Sequence, residues 1–442
     1  MLNSHLRHLH GRGSRAGKCR VEFSLSVVNT LSSIVFCTVL LNAFPENVRA
    51  FDLSWKPRAR VSMRGTDNVL TSPIKPEGAL GFDNGGGVTF KAEDVDWNST
   101  LTPDFTFRRF AIGRNLDANE YGVASDNQYS FSPKLGAALG FDYRIDSSLN
   151  QVFRDARAEN AVKDRRSISV SPRLNYALTN EFSVNTNFSY NTVSYLDAAD
   201  SGLIDYDYMQ AGIGAAYDFD KQTNLFGNLF ISKFVAPSAS NKSVTYGFQV
   251  GVSRRLTETI SAEMAAGYSR SDINFVERQL GTIFVDQQFG PFIVRIPQTV
   301  VFNIPRETSV DGPIASVILK KAFENATGRF EYSRQVGPTP GGTQATDESY
   351  TLSLQWEAAE RLTVVFSGAL YERGVQTANI NTASQSLTVA QLASSLTYYV
   401  NETLSFGAEY RLGRDSADST AYVNAVMFTL NYDGLWHHAY GN

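Results

Sequence analysis

Cysteine and histidine are scarce, and their positions exclude several kinds of chemistry. Both cysteines, Cys19 and Cys37, lie in the first 50 residues, together with three of the five histidines. The other two, His437 and His438, stand near the C-terminus. Thiol catalysis, zinc sites and catalytic triads depend on these residue types. We therefore predict that the chain is not an enzyme and that it holds no cofactor and no metal.

Long apolar runs are also missing after residue 50, which excludes membrane-spanning helices there. The first 50 residues differ, because five basic residues up to Arg20 precede the apolar run Leu31–Phe44, and small residues lie before Phe51. That run has only about 14 residues, fewer than the ~20 that an anchor helix needs. We predict that residues 1–50 are a cleaved signal peptide and that residues 51–442 form the single domain of the exported protein.

The charge balance excludes a nucleic-acid surface. Residues 1–50 hold six of the 40 basic residues and two of the 44 acidic ones, which leaves a net charge of −8 for residues 51–442. Nucleic-acid binding needs a basic face. We expect no nucleic-acid partner.

Strict alternation of apolar and polar residues dominates the rest of the chain. In Glu181–Tyr195 (EFSVNTNFSYNTVSY), phenylalanine, valine and tyrosine occupy one parity, and serine and asparagine fill the other. Successive strand residues point to opposite faces, so each strand has one apolar face and one wet face. About eighteen such segments follow one another, joined by short turns such as 178–181 and 400–403 in alternation with longer loops.

This pattern predicts an all-β fold, a transmembrane antiparallel outer-membrane β-barrel of about 18 strands. The apolar parity would meet lipid, and the polar parity would line an aqueous lumen. A soluble β-sandwich shows the same parity and is the alternative. Strands of about 12 to 16 residues are long for a sandwich or a propeller blade, whose strands have ~5 to 6 residues.

A family resemblance points the same way. The segment Trp55–Pro73 (WKPRARVSMRGTDNVLTSP), with its Asp67-Asn68-Val69 triplet, resembles the start of the outer-membrane family called beta-barrel porin 2. The hairpin segment "LGAALGFDYRIDSSL" is similar to that family as well. Related barrels accompany PEP-CTERM and exopolysaccharide gene sets. The resemblance implies a barrel without catalytic residues, of which some members export polysaccharide with a periplasmic partner.

Charged residues of the polar parity are the candidate solute path. Arg58, Arg60 and Arg64 form a basic trio on the first strand. The residues predicted to line the lumen are Arg58, Arg60, Arg64, Arg108, Asp126, Asp142, Arg144, Arg173, Glu263, Glu357, Glu409 and Arg411. Such residues could simply hydrate the wall, or arginine forks among them could bind acidic groups of a polymer. A carboxylate-only glycosidase, with Asp126 and Asp142 as its pair, is the enzymatic alternative.

Residues 275–312 break the regular pattern. They separate the strands ending near Asn274 and beginning near Pro313, and they are too apolar for a solvated loop. We predict a long extracellular or lumen-folded loop that constricts the pore, with Phe284, Phe289, Phe292 and Phe302 packed on the wall. An external hairpin is the alternative, because residues 292–296 and 299–304 have strand character.

The sequence therefore predicts a multi-pass channel of the cell outer membrane, exported by its signal peptide. Its surroundings would be outer-membrane lipid and lipopolysaccharide. From the resemblance, we expect export of an exopolysaccharide, fed by a periplasmic polysaccharide-export protein. The alternatives are a general diffusion porin for small polar solutes and a structural or adhesive surface barrel.

Overall fold

The structure of the chain is a computed structural model. It describes residues 52–69, 72, 75–112, 116–148, 163–196, 203–289, 292–338, 344–375, 386–416 and 420–439. The signal peptide predicted for residues 1–50 lies outside these ranges. The described strands are β1 (Asp52–Thr66), β2 (Ala79–Glu93), β3 (Trp97–Ile112), β4 (Ala118–Ser132), β5 (Leu135–Ser147), β6 (Asp164–Ala177), β7 (Phe182–Tyr195), β8 (Tyr206–Asp218), β9 (Thr223–Ala236), β10 (Asn241–Arg255), β11 (Ile260–Phe289), β12 (Phe292–Ala322), β13 (Ala326–Pro338), β14 (Gln344–Ala359), β15 (Leu362–Val375), β16 (Ser386–Tyr399), β17 (Leu404–Ser416), β18 (Thr420–Asp433) and β19 (His437–Ala439).

The sheet closes on itself. Each of β1–β18 pairs with its neighbours along the chain, and β18 pairs back to β1, from Arg58 opposite Asp433 to Thr66 opposite Ala425. A closed ring is the form that a membrane requires, because lipid offers no hydrogen-bond partner to an open sheet edge. The predicted all-β barrel is confirmed, with eighteen antiparallel strands in the ring.

The C-terminal histidines belong to this sheet instead of lying beyond it. His437 and His438 form part of the short strand β19, whose backbone pairs with Trp55 and Ser54 of β1. β19 thus continues the seam, which is the pairing of the end of the chain with β1, because β18 pairs with β1 only from Arg58 onward.

Apolar side chains cover the outside of the ring. Phe188 is 42% exposed, Phe406 is 51% exposed and Leu352 is 61% exposed. A soluble sandwich would bury these side chains in a core, so that alternative is excluded. An apolar belt around a closed antiparallel barrel fits the lipid of the outer membrane.

The eight connections that follow the even-numbered strands, from β2–β3 to β16–β17, have two to four residues each and lie at one end of the barrel. This end corresponds to the periplasmic end of outer-membrane barrels. The β8–β9 turn shows how they are fixed: the backbone N–H groups of Gln222 and Thr223 each donate to Oδ1 of Asp220 over 2.7 Å. These hydrogen bonds, with that of Gln222 as the largest influence, lower the pKa of Asp220. No helix in the described ranges is long and apolar enough to cross a membrane.

Within 275–312, predicted as a long loop, residues 275–289 and 292–312 are strand, which is the main difference from the sequence-based expectation. β11 has 30 residues and β12 has 31, whereas the other barrel strands have 13 to 16. β11 pairs with β10 only as far as Asn274, and β12 pairs with β13 only from Ala315. Beyond those points β11 and β12 pair with each other as far as Phe289 opposite Phe292. The segment is a two-stranded hairpin that continues past the rim.

Two of the four phenylalanines predicted to pack on the wall, Phe284 and Phe302, are exposed. Phe284 is 65% exposed and Phe302 is 46% exposed, so neither ring is packed on the barrel wall. Phe289 and Phe292 are paired at the tip of the hairpin. The hairpin alternative describes the paired backbone of this segment, because β11 and β12 satisfy the polar groups that face each other.

The Asp67-Asn68-Val69 triplet fastens the seam between β1 and β18. The carboxylate of Asp67 accepts hydrogen bonds from the backbone and side chain of Asn424 on β18, both over 2.7 Å. The buried amide of Asn68 donates to the carbonyls of Ser72 and Tyr422 over 2.9 and 3.0 Å, and accepts from the N–H of Ser72 over 2.8 Å. The triplet thus ties the first loop to the last strand.

We predict that Asn68→Ala destabilises the barrel by about 2 kcal/mol, because it leaves buried carbonyls and an N–H without a partner. The measurement is the urea midpoint at which the unheated protein loses its folded gel mobility. Lys75→Ala in the same loop is the control, and its exposed side chain should change stability by less than about 0.5 kcal/mol. Equal midpoints for the two variants would contradict the role given to Asn68.

Candidate functional site: the lumen wall

The strand register assigns one face of every strand to the lumen. Residues that lie opposite each other in neighbouring strands share a face of the sheet. Pairs such as Ser62 with Asp83, and Asp83 with Arg108, carry this relation around the ring. The twelve predicted lumen residues all lie on this inward face: Arg58, Arg60, Arg64, Arg108, Asp126, Asp142, Arg144, Arg173, Glu263, Glu357, Glu409 and Arg411.

Ten of these twelve residues line two cavities on one side of the barrel. A cavity of about 770 Å³ is lined by Arg58, Arg60, Arg64, Arg108, Arg144, Glu409 and Arg411. A second one of about 290 Å³ is lined by Asp126, Asp142 and Arg173. Glu263 and Glu357 share the inward face but border neither cavity.

A buried ion-pair chain crosses the wall from β1 to β4. Asp83 accepts from Nη2 of Arg64 over 3.1 Å and from Nε of Arg108 over 2.9 Å. Arg108 also lies 3.2 Å from Glu120. The Arg108 side chain is only 4% exposed. Because the guanidinium groups of Arg64 and Arg108 are engaged by these carboxylates, both arginines stabilise the wall and are less available to a solute.

Arg58 and Arg60, by contrast, are exposed to the lumen. Within the described ranges, neither forms an ion pair, and Nη2 of Arg60 lies 3.5 Å from Sδ of Met427. The predicted basic trio is therefore divided: Arg64 is engaged with Asp83, while Arg58 and Arg60 present guanidinium groups to whatever enters. Two unneutralised positive charges attract anions into this part of the lumen.

The second cavity carries looser ion pairs. Arg173 lies 3.8 Å from Asp126, and Arg144 lies 3.6 Å from Asp142, with all four side chains between 39% and 53% exposed. Exposed pairs of this kind contribute ~0 to 1 kcal/mol to stability. Each carboxylate of the pair considered for a glycosidase thus lies beside an arginine.

The acids of the inward wall that the sequence analysis missed include Asp83, Glu120 and Asp146. Asp83 lies near the start of β2, which begins at Ala79. Glu120 and Asp146 share the parity of Asp126 and Asp142 and could have been found from it. Asp146 forms a two-pronged pair with Arg165, over 2.9 and 2.7 Å. In the described part of the chain, no cluster of histidine, cysteine and acidic residues could hold a metal ion.

Comparisons with known proteins add little beyond architecture. No family model matches the chain, and no curated protein matches its sequence. Among solved structures, OccAB3 of Acinetobacter baumannii shares 10% identity with a TM-score of 0.45, over 88% of this chain and 100% of that one. OccK2 (OpdF) of Pseudomonas aeruginosa shares 9% with a TM-score of 0.48, over 88% and 98%. The alcaligin outer-membrane receptor FauA of Bordetella pertussis shares 12% with a TM-score of 0.43, over 88% and 76%.

The class of the protein follows from the chain's own geometry. A closed ring of eighteen antiparallel strands has an apolar outer face, a polar inner face and short turns at one end. These features define an outer-membrane β-barrel. The beta-barrel porin 2 resemblance and its PEP-CTERM association stay predictions.

We predict that Asp83→Asn destabilises the barrel by about 3 kcal/mol, because it leaves the buried guanidinium groups of Arg64 and Arg108 without their shared carboxylate. The test is the urea midpoint of folded gel mobility. Asp142→Asn removes an exposed carboxylate instead and should cost less than about 1 kcal/mol. A loss for Asp83→Asn no larger than that of Asp142→Asn would refute a structural role for the ion-pair chain.

Proposed function

We propose that the chain is a passive outer-membrane channel for small polar solutes. The observation that carries this proposal is the inward face, which presents polar and charged groups around a closed ring of eighteen strands. A ring of 16 to 18 strands is wide enough to enclose water, whereas about eight strands fill with side chains. The exposed Arg58 and Arg60 would favour anionic solutes at one side of that lumen.

Export of an exopolysaccharide, expected from the family resemblance, has less support. Among the described residues, nothing distinguishes a surface for a periplasmic export protein. The exposed hairpin of β11 and β12 gives no sign of a gate that an export channel would need. The small-solute channel, which was the alternative, fits these observations better.

We also propose that the barrel has no enzymatic activity. The wall carboxylates that resemble a catalytic pair, Asp126 and Asp142, are each ion-paired with an arginine. A glycosidase needs one carboxyl group to act on the leaving group and the other to act on the sugar carbon or on water. Here each carboxylate is already engaged by an arginine partner.

The exposed arginines give a selectivity prediction. Replacing Arg58 and Arg60 together with glutamine should shift the channel toward cations, lowering the chloride-to-potassium permeability ratio about two- to five-fold, since a unit charge at close range contributes ~1 kcal/mol in water. The measurement is the reversal potential in a salt gradient across a planar bilayer.

Arg270→Gln is the matched control, because Arg270 lies on the outward face of β11 and pairs with Asp272 over 3.1 Å. It should leave the reversal potential unchanged. Unaltered selectivity in Arg58→Gln/Arg60→Gln would show that solutes do not pass these residues. A complete lack of conductance in folded wild-type protein would contradict the channel itself.

The hairpin gives a second prediction for the same recordings. Deleting Thr282–Pro305 should leave the single-channel conductance unchanged within about 20%, because the exposed hairpin extends beyond the wall that sets the pore width. A clear rise in conductance would instead support the constriction that the sequence analysis expected.

A further inference from the structure

The lumen wall is divided into a charged side and an almost uncharged side. Ion pairs lie on the inward faces of β1–β6, β13–β15 and β17. The inward faces of β7–β10 carry only two charged side chains, Asp218 and Arg255, and both stand at the short-turn ends of their strands. Apart from Val193, Ala216 and Ala236, the rest of this sector consists of amides, hydroxyls, glycines and aromatic rings.

Amides and phenyl rings alternate on the inward face of β9. Asn224, Phe226, Asn228 and Phe230 follow one another there, and both rings are half-buried. A Cβ added at Gly251 would collide with the ring tip of Phe226, and one at Gly247 would collide with that of Phe230. Each ring therefore lies along the wall over a glycine of β10, leaving the lumen open beside an apolar surface.

The neighbouring strands bring more amides to the same place. Gly214 of β8 lies between Asn185 of β7 and Asn228 of β9, and a Cβ on Gly214 would collide with both side-chain amides. Asn187 occupies the space over Gly212 in the same way. Glycine is needed at these positions because the amides of two flanking strands converge on them.

These amides are available to a ligand. Within the described part of the chain, the side chains of Asn185, Asn187 and Asn228 have no hydrogen-bond partner, and Asn187 and Asn228 are exposed. An amide offers two donors and an acceptor. We call Asn185, Asn187, Phe226, Asn228 and Phe230 the amide–phenyl patch.

We propose that the amide–phenyl patch binds neutral oligosaccharides as they pass through the lumen, a specificity that rests on the channel function proposed above. A sugar ring carries hydroxyls that amides can bind and a C–H face that can lie on a phenyl ring. Phe226 and Phe230 are about 13 Å apart along β9 with Asn228 between them, a span suited to several linked sugar units. Charged solutes gain little beside the patch, because the two inward charges of this sector, Asp218 and Arg255, stand at the short-turn ends of their strands.

The structural alternative is that the rings only cover the glycine backbone of β10. Packing of an aromatic ring over a strand glycine stabilises sheets without any ligand. That alternative explains Phe226 and Phe230. It does not explain why unpaired amides converge beside them, where serine or threonine would hydrate the wall equally well.

The experiment uses full-length protein, exported and purified from outer membranes in a detergent without a sugar headgroup, in a planar bilayer. Maltohexaose should interrupt the open-channel current reversibly in the wild type. Phe226→Leu/Phe230→Leu keeps apolar bulk but removes the aromatic faces. It should raise the dissociation constant of maltohexaose, obtained from the block of the current, about ten-fold. Phe226→Tyr/Phe230→Tyr keeps the faces and should retain the wild-type constant.

The charged side of the lumen supplies the matched control. Arg58→Gln/Arg60→Gln should leave the maltohexaose constant unchanged while altering ion selectivity. A conducting wild-type channel that maltohexaose never blocks would overturn this inference and leave the channel function standing. Blocking that is equal in the leucine and wild-type proteins would show that sugar binds elsewhere and would likewise overturn it.

A second experiment tests the patch if the protein proves not to be a channel. If folded protein does not conduct, saturation-transfer NMR of maltohexaose with the detergent-solubilised barrel replaces the current. Transfer that disappears in Phe226→Leu/Phe230→Leu would support the patch in a barrel that is not a channel. No transfer to the wild type would overturn the patch as well.

Discussion

The pairing of the last barrel strand with the first is the constraint on which the rest of the structure depends. In lipid, an unpaired strand edge leaves N–H and C=O groups without partners, and each costs several kcal/mol. The chain meets this demand at a seam made of residues far apart in sequence, Arg58–Thr66 and Ala425–Asp433. Asp67 and Asn68 reinforce that seam from the first loop. Only a closed ring gives inward side chains an aqueous interior to face.

Closure also separates two tasks that charged residues perform on the inward face. Asp83 and Arg108 satisfy each other inside the wall, where an unpaired charge would be costly. Arg58 and Arg60 stay exposed and lie opposite Gly87 and Gly85 of β2, which offer no carboxylate. The number of charged residues in the lumen therefore overstates the electric field that a solute meets. That field depends on the charges that are not neutralised by ion pairs with residues of adjacent strands.

Much of this architecture could be predicted from sequence because its cause is local. Period-two alternation reflects the two faces of a strand, and so the strands and the inward parity of Asp126 and Arg144 follow from the residues alone. The β11–β12 hairpin could not be predicted in the same way. Pro297 and Pro305 argue against a central strand, yet they are tolerated here because this part of β12 has no β13 partner and forms an edge.

The same limit applies to the role of each inward residue: parity predicts the face on which a residue lies, but not its partners there. Parity assigned Arg58, Arg60 and Arg64 alike to the lumen, but their different environments depend on what stands opposite them in β2 and β18. The phenylalanines of β9 show the converse. Phe226 and Phe230 share the inward parity of Asn224 and Asn228, and only the glycines of β10 make room for their rings. The side chain that fills the space above a glycine comes from a neighbouring strand, and the pairing register determines which one it is. The surface of a barrel lumen therefore depends on how strands pair and cannot be predicted from one strand alone.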